Sequence, residues 1–259
     1  PKGGSVAQKK EKTHRLKKED VDFIRSLVVY QDKDVIVLNK PSGLATQGGT
    51  GIKRHVDGLL DGLKQKDEDA RPKLVHRLDK DTSGLIVVAK NRLAHDHVSR
   101  QIRERNIRKV YIALATGFLE PAEGTITAHV GRDQRNRKRM AVVDWGREAE
   151  TTYRVEERLP GFTLIKAFPK TGRTHQIRVH LSSLGYPLAG DTLYGGKTPR
   201  LDRQFLHAHI LGLRLPTTEE YVEFTSPLPR ELDAFLIHLR GGETEVLPGR
   251  VSGQILERL

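Results

Sequence analysis

Cysteine is absent from all 259 residues of the chain. Its absence excludes disulfides and thiolate metal sites and fits a reducing compartment. Long apolar runs are missing too. Nothing approaches the roughly 20 consecutive apolar residues that span a bilayer, and no charged, apolar and small-residue leader opens the sequence. Membrane and secretory readings are therefore poor. A soluble protein of the cytoplasm is expected, with a mitochondrial or other organelle matrix as the alternative. Internal repeats are lacking, and low-complexity composition is confined to the two ends. With 36% apolar residues, the chain has material for one sizeable domain or two small ones.

Negative charge is also in short supply. Lys plus Arg number 45 against 33 Asp plus Glu, a formal balance of +12. An excess of that size favours a polyanionic partner, nucleic acid before others, with a merely solubilising surface as the plain alternative. Lys2, Lys9, Lys10, Lys12, Arg15, Lys17 and Lys18 lie in a segment with almost no apolar pattern, which reads as a flexible basic arm. Packing is expected to start near Leu27. The expected division is a basic arm or linker over residues 1–27, one folded domain over 28–240, and a C-terminal extension over 241–259.

Within that domain, Val28-Val29-Tyr30 and Val35-Ile36-Val37-Leu38 read as two short buried strands, and Val56, Leu59, Leu60 and Leu63 fall at helical spacing. A charged loop is expected around residues 66–71. Leu85-Ile86-Val87-Val88-Ala89 reads as a buried strand, Ala94, Val98 and Ile102 as the stripe of a helix, and residues 109–115 as a strand ended by Gly117. Residues 151–155 and 162–168 suit an antiparallel pair. Ile177, His180, Leu181 and Leu184 then form a helical stripe, with Gly185 and Pro187 as stop signals and Arg178 at the stripe's edge. Strands near residues 206–215 and 221–224 and a helix around 232–239 complete the pattern.

Two segments carry the chemistry. One is His76-Arg77-Leu78-Asp79-Lys80-Asp81-Thr82-Ser83-Gly84, a turn that places Asp79 between cationic neighbours. The other is Gly172-Arg173-Thr174-His175-Gln176-Ile177-Arg178, which puts an arginine on a helix. An isolated Asp on a polar turn is usually a cap or turn former. An arginine brought alongside would instead hold it ionised and oriented as a nucleophile or base. Asp79 and Asp81 at i and i+2 also allow a metal-dependent nuclease. A metal site is nonetheless not expected: His175 and His180 are five apart and share no helical face, and the pairs His95 with His97 and His207 with His209 lack further ligands. A third segment, Arg132, Arg135, Arg137, Lys138 and Arg139, is the most basic patch, and at +12 overall it is a candidate for phosphate contact.

Five stretches resemble, in order, the signatures of the RluA-type pseudouridine synthases. They are Val37-Leu38-Asn39-Lys40-Pro41-Ser42-Gly43, His76-Arg77-Leu78-Asp79, Lys109-Val110-Tyr111, Gly172-Arg173-Thr174-His175-Gln176-Ile177-Arg178-Val179-His180 and Gly190-Asp191-Thr192-Leu193-Tyr194-Gly195-Gly196. The resemblance implies an α+β catalytic domain on a mixed, mostly antiparallel sheet with flanking helices. It also implies cofactor-free isomerisation of uridines in RNA: the bond from C1′ to N1 breaks, the uracil turns, and C5 takes its place. By motif, Asp79 would be the catalytic aspartate, Arg178 its partner, and Tyr111 the ring that stacks on the target base. Arg77 would fill the gap left by a flipped nucleotide, and His76 and Arg173 would join it in RNA binding. Ribosomal RNA of the large subunit is the expected partner, tRNA a second candidate, and a monomer the expected state. Relatives of this kind commonly carry an N-terminal S4-type domain, and residues 1–27 are too short and too polar to form one. A catalytically silent RNA-binding assembly factor of the same fold is the alternative.

Overall fold

The computed structural model describes residues 16–64 and 70–242. The basic stretch before Leu16, most of the charged loop after Lys64 and the extension beyond Gly242 lie outside the described residues. The chain begins with helix α1 (Lys18–Ser26), followed by β1 (Val28–Gln31) and β2 (Val35–Lys40). Helix α2 (Val56–Leu59) runs into a 3₁₀ turn (Leu60–Leu63). Next come β3 (Lys73–Leu74), β4 (Ser83–Ala89), α3 (Arg92–Arg103) and β5 (Arg108–Thr116). The second half holds β6 (Glu123–Arg132), β7 (Met140–Val142), β8 (Arg147–Leu159), β9 (Phe162–Pro169), α4 (Gln176–Ser183), β10 (Leu206–Arg214), β11 (Tyr221–Thr225) and α5 (Arg230–Leu239).

The eleven strands among the described residues join one sheet in the order β1-β2-β4-β10-β5-β9-β8-β6-β7, with β3 beside β4 and β11 beside β10. Every pairing is antiparallel except that of β10 with β4, so the architecture is α+β on a mixed, mostly antiparallel sheet. Strands β2 and β4 are apolar at nearly every position because both faces of the sheet are covered there. Ile36, Leu38, Ile86 and Val88 face a core closed by Ile24 of α1 and by Val56, Leu59, Leu60 and Leu63. Val35, Val37, Leu85 and Val87 face the opposite core under Ala94 and Val98 of α3. In the other half, α4 covers Ala113, Ile165 and Ala167 with Ile177 and Leu181, while α5 covers Leu114 and Phe205 with Leu232 and Phe235.

Three features differ from the sequence reading. Packing begins before Leu27: α1 is a formed helix whose Ile24 is fully buried, so residues 18–26 belong with the core and not with the arm. Its apolar residues Val21, Phe23 and Ile24 are outnumbered by charges, which hides the stripe from inspection. Strand β6 went unread because its pattern alternates weakly and carries Gly124 and Gly131. Arg178 is buried and not at the edge of the α4 stripe.

The parallel contact is made by backbone against backbone. His207 and Ala208 pair with Ser83 and Gly84, and a side chain added at Gly84 would stand 2.2 Å from the Ala208 carbonyl oxygen at a φ of +112°. Gly84→Ala is therefore expected to destabilise the fold by about 3 kcal/mol or more, through combined strain and steric overlap. Urea denaturation would check it, and a wild-type midpoint would show that β4 and β10 can part without loss.

Candidate active site

Asp79 lies on the turn between β3 and β4, and four side chains from two segments, residues 40–46 and Arg203, hold that turn by its backbone. Within it, Thr82 N–H donates to the Asp79 carbonyl at 3.1 Å. Thr46 Oγ1 donates to the Leu78 carbonyl at 2.6 Å and accepts from Leu78 N–H at 3.1 Å. Lys40, wholly buried at the end of β2, donates to the carbonyls of Lys80, Pro41 and Leu44 at 2.8–2.9 Å. Burial pushes its ammonium pKa down to about 7, against the opposing pull of Asp81 and Asp79. Ser42 Oγ and Arg203 Nη1 both donate to the Asp81 carbonyl. Behind the turn, Ser83 Oγ bonds Arg203 and His207, and Arg203 is anchored on Glu231. A carboxylate carried on a loop is thus fixed as if it stood on a strand.

Arg178 arrives from α4, whose entry is set by one amide. Gln176 Oε1 accepts from Thr171 Oγ1 at 2.6 Å and from Arg173 N–H at 3.0 Å, while its Nε2 donates to the Glu150 carbonyl and Thr151 Oγ1 at 2.9 Å. His175 precedes the helix in the left-handed region, with φ of 57°. The guanidinium then forks. Nε and Nη2 donate to the two carboxylate oxygens of Asp191 at 2.7 and 3.0 Å, and Nη1 donates to Asp79 Oδ2 at 3.1 Å. Burial alone would push the Arg178 pKa down, but the Asp191 hydrogen bonds and charge, with Asp79 adding to them, outweigh it and push it up. Asp191 sits in a tight loop closed by Gly190 N–H on the Gly196 carbonyl at 2.7 Å, and Gly190 takes a φ of +78° against the Arg203 backbone.

Tyr194, from the same loop, lies under the guanidinium at 5.0 Å and bonds His175 Nδ1 at 2.9 Å. Its hydroxyl also accepts from Met140 N–H at 2.8 Å, and burial pushes its pKa up to about 12. The other His175 ring nitrogen stands 4.0 Å from Asp79 Oδ2, and burial pushes this imidazole pKa down despite that carboxylate.

Two adjoining cavities meet at these groups. One, of about 440 Å³, is polar, lined by Thr46, Gln47, Asp191, Thr192 and Gln204. The other, of about 240 Å³, has a largely apolar wall from Val75, Ile102, Tyr111, Ile177 and Leu206. Arg77, Leu78, Asp79, His175 and Arg178 line both and form the partition. Asp79 keeps 16% of its side chain exposed while Arg178 keeps 7%, so the carboxylate is the accessible half of the pair. Tyr111 lines the apolar cavity, and burial, followed by the Asp79 charge, pushes its phenol pKa up. Lys109 lies on the same side of β5 two residues earlier, at the edge of that cavity, and burial pushes its ammonium pKa down.

The structure thus brings together Asp79, Tyr111, Arg178, Arg77 and Arg173 from the sequence reading. His76 also lines the apolar cavity; its Nε2 accepts from Val87 N–H at 3.0 Å, and burial pushes its pKa down to about 3, so it stands there as a neutral ring. The basic loop divides as well: Arg139 pairs with Asp133 and Arg132 donates to the Arg137 carbonyl, whereas the side chains of Arg135, Arg137 and Lys138 are exposed. Sequence reasoning gave no role to Asp191, Tyr194, His175 or Gln176. All four stand within its motifs, and only folding shows what they touch. Among the described residues no group of three or more His, Cys, Asp or Glu forms a metal-ligand set.

Comparison with known proteins supplies the context. A family model described as RNA pseudouridylate synthase matches residues 34–183. An "uncharacterized RNA pseudouridine synthase" of Bacillus subtilis is 43% identical over 222 residues, covering 82% of this chain and 72% of that protein. The ribosomal large subunit pseudouridine synthase D of Nitrosomonas europaea is 42% identical over 224 residues, covering 82% of this chain and 65% of that protein. The solved structure of human RNA pseudouridylate synthase domain containing 4 superposes with a TM-score of 0.69 at 26% identity, covering 86% of this chain and 97% of that one.

Three imidazoles that support this region are held neutral by burial: His76, with its pKa pushed down to about 3, and His180 and His207, each to about 4. Unfolded histidines titrate near 6.5. Below that pH the unfolded chain takes up protons that the folded chain refuses, so stability should fall as pH drops from about 6.5 towards 4. Urea midpoints measured across this window would show the decline, and a flat profile would mean that the rings ionise in place.

Proposed function

The chain belongs to the RNA pseudouridylate synthase family, and from that membership we propose that it converts selected uridines of large-subunit ribosomal RNA to pseudouridine with Asp79 as its catalytic residue. RNA is the partner. The observation that carries the assignment of roles is the Arg178 fork, which fixes Asp79 from one side at 3.1 Å and leaves its carboxylate facing the junction of the two cavities. α1 and residues 28–240 form the catalytic domain. Action as a monomer is part of this proposal. No helix among the described residues is long and apolar enough to cross a membrane, and the cytoplasm is the proposed location.

In this reading the target nucleotide leaves its stack, at a cost of a few kcal/mol, and its uracil enters the apolar cavity against Tyr111. Arg77 is exposed at the mouth of both cavities, suited to the space the nucleotide vacates. Asp79 then either attacks C1′ or removes the proton from C2′. Either route releases N1 of the uracil with the bonding electrons, and both agree with the geometry. The detached ring turns within the cavity and C5 bonds to C1′ as the bond from Asp79 to C1′ breaks, or, on the other route, as Asp79 returns its proton to C2′; the C5 proton then leaves and N1 gains one, so that the product is an isomer of the substrate. Tyr111, its phenol kept protonated by burial and by Asp79, is placed to relay that proton, handing on its own as it accepts the one from C5. Arg178 holds the carboxylate's direction throughout, because its other two nitrogens are committed to Asp191.

Asp79→Asn should lower release of tritium from C5-labelled uridine in ribosomal RNA by about 10³-fold or more while changing RNA affinity little. Label release at the wild-type rate would remove Asp79 from the chemistry, and no release by the wild-type chain from any RNA would remove the isomerase reading. For the basic loop, replacing Arg135, Arg137 and Lys138 together by Gln should reduce the slope of log affinity against log salt concentration by about 2. An unchanged slope would mean that the loop faces away from the RNA.

A further inference from the structure

The chain has a single tryptophan, Trp145, and it is 57% exposed. It stands in the turn from β7 to β8, which is closed by Gly146 N–H on the Val143 carbonyl at 3.0 Å. The indole edge rests over Gly131, where an added Cβ would lie 2.9 Å from Cζ3, so the ring has a fixed seat on β6 and an open remainder. A lone exposed aromatic would need no explanation. Its surroundings make this one different. Arg147 follows two residues later, and Arg147 and Arg105 both act on Arg173, whose guanidinium pKa is pushed down by burial and then by these two like charges. Arg173 in turn lines the apolar cavity beside Tyr111. The carboxylate reaching into this trio is Glu148, 3.6 Å from Arg105, and the exposed Asp144 lies beside the indole. Arg173 at the cavity, the two arginines that act on it, and the seated indole two residues from Arg147 thus share one region, with the exposed Arg135, Arg137 and Lys138 in the loop at the other end of β7.

Cationic tracks interrupted by exposed aromatics bind unpaired nucleotides: phosphates follow the charge and a base stacks on the ring. We propose that Trp145, with Arg105, Arg147 and Arg173, forms a second nucleotide-binding position outside the catalytic cavity, at which an unpaired base of the RNA stacks on the indole. The proposal rests on the reading of the chain as an RNA-modifying enzyme and adds to it how substrate outside the reacting nucleotide is gripped. Such a site favours targets whose modified uridine is flanked by single-stranded or looped-out residues.

The position of this tryptophan makes the test direct, because all indole emission comes from one place. The intact chain would be titrated with an RNA hairpin carrying a uridine-containing loop, with a fully paired duplex of the same composition as contrast. Emission should fall with the hairpin, tracking the binding curve from filter retention, and should respond far less to the duplex. Trp145→Ala should raise the hairpin Kd about tenfold, with product formation at saturating RNA retained, while Trp145→Phe should stay within about twofold of wild type. Emission that does not move at saturating hairpin, or an unchanged Kd in Trp145→Ala, would overturn the site and leave the indole as a cap on Gly131. Asp79→Asn must show the same quench as wild type. Quenching without any label release from the wild-type chain would sink the isomerase reading and leave the stacking site standing.

Discussion

A buried guanidinium between two carboxylates governs this molecule. Arg178 commits two donors to Asp191 and one to Asp79, and it does so inside a water-poor partition between cavities. Three charges so placed are costly to desolvate, and leaving any one unpaired would cost about 3–5 kcal/mol. The arrangement therefore demands that the α4 entry, the Gly190–Gly196 loop and the turn carrying Asp79 be correct together. Much of the remaining structure can be read as support for one of those three pieces. Gln176 sets the helix entry, the Gly190 backbone sets the loop, and Lys40, Thr46, Ser42 and Arg203 set the turn.

The asymmetry of the fork matters for chemistry. Asp191 receives a bidentate contact and is almost fully buried, so it has no freedom to act on a substrate. Asp79 receives a single contact and keeps an open edge. Tyr194 completes the division of labour by lying under the guanidinium while bonding His175, which closes a ring of contacts around the site. Because the same Tyr194 hydroxyl accepts from Met140 N–H, the basic loop is tied at its base to the groups that orient Asp79. Engagement of RNA by that loop would therefore bear on a strand end already bonded to the site.

How much of this could be read from residues alone follows from range. Strands β2 and β4 and helices α3 and α4 announced themselves because their burial pattern is local and periodic. Asp79 and Arg178 were legible through motifs, although they are 99 positions apart. The partners were not, since nothing in a string of letters says that Asp191 rather than Asp81 meets the arginine. For a related reason, letters alone do not say that a backbone N–H of β4 occupies one ring nitrogen of His76. Helix α1 was missed because Ile24 is buried by a neighbour more than thirty residues away in sequence, and a segment rich in Lys and Asp gives little local hint of that.

Strand order gives the fold a temporal consequence. β10 is inserted between β4 and β5, although it is made long after both, and its pairing at Gly84 seats the turn that carries Asp79. A chain emerging from the ribosome therefore exposes its cationic surface well before it owns a finished centre. Until residues 206–214 have appeared and slotted into the gap, the two halves of the sheet have no common backbone. The reacting groups can therefore come to their final places only once β10 has joined the sheet.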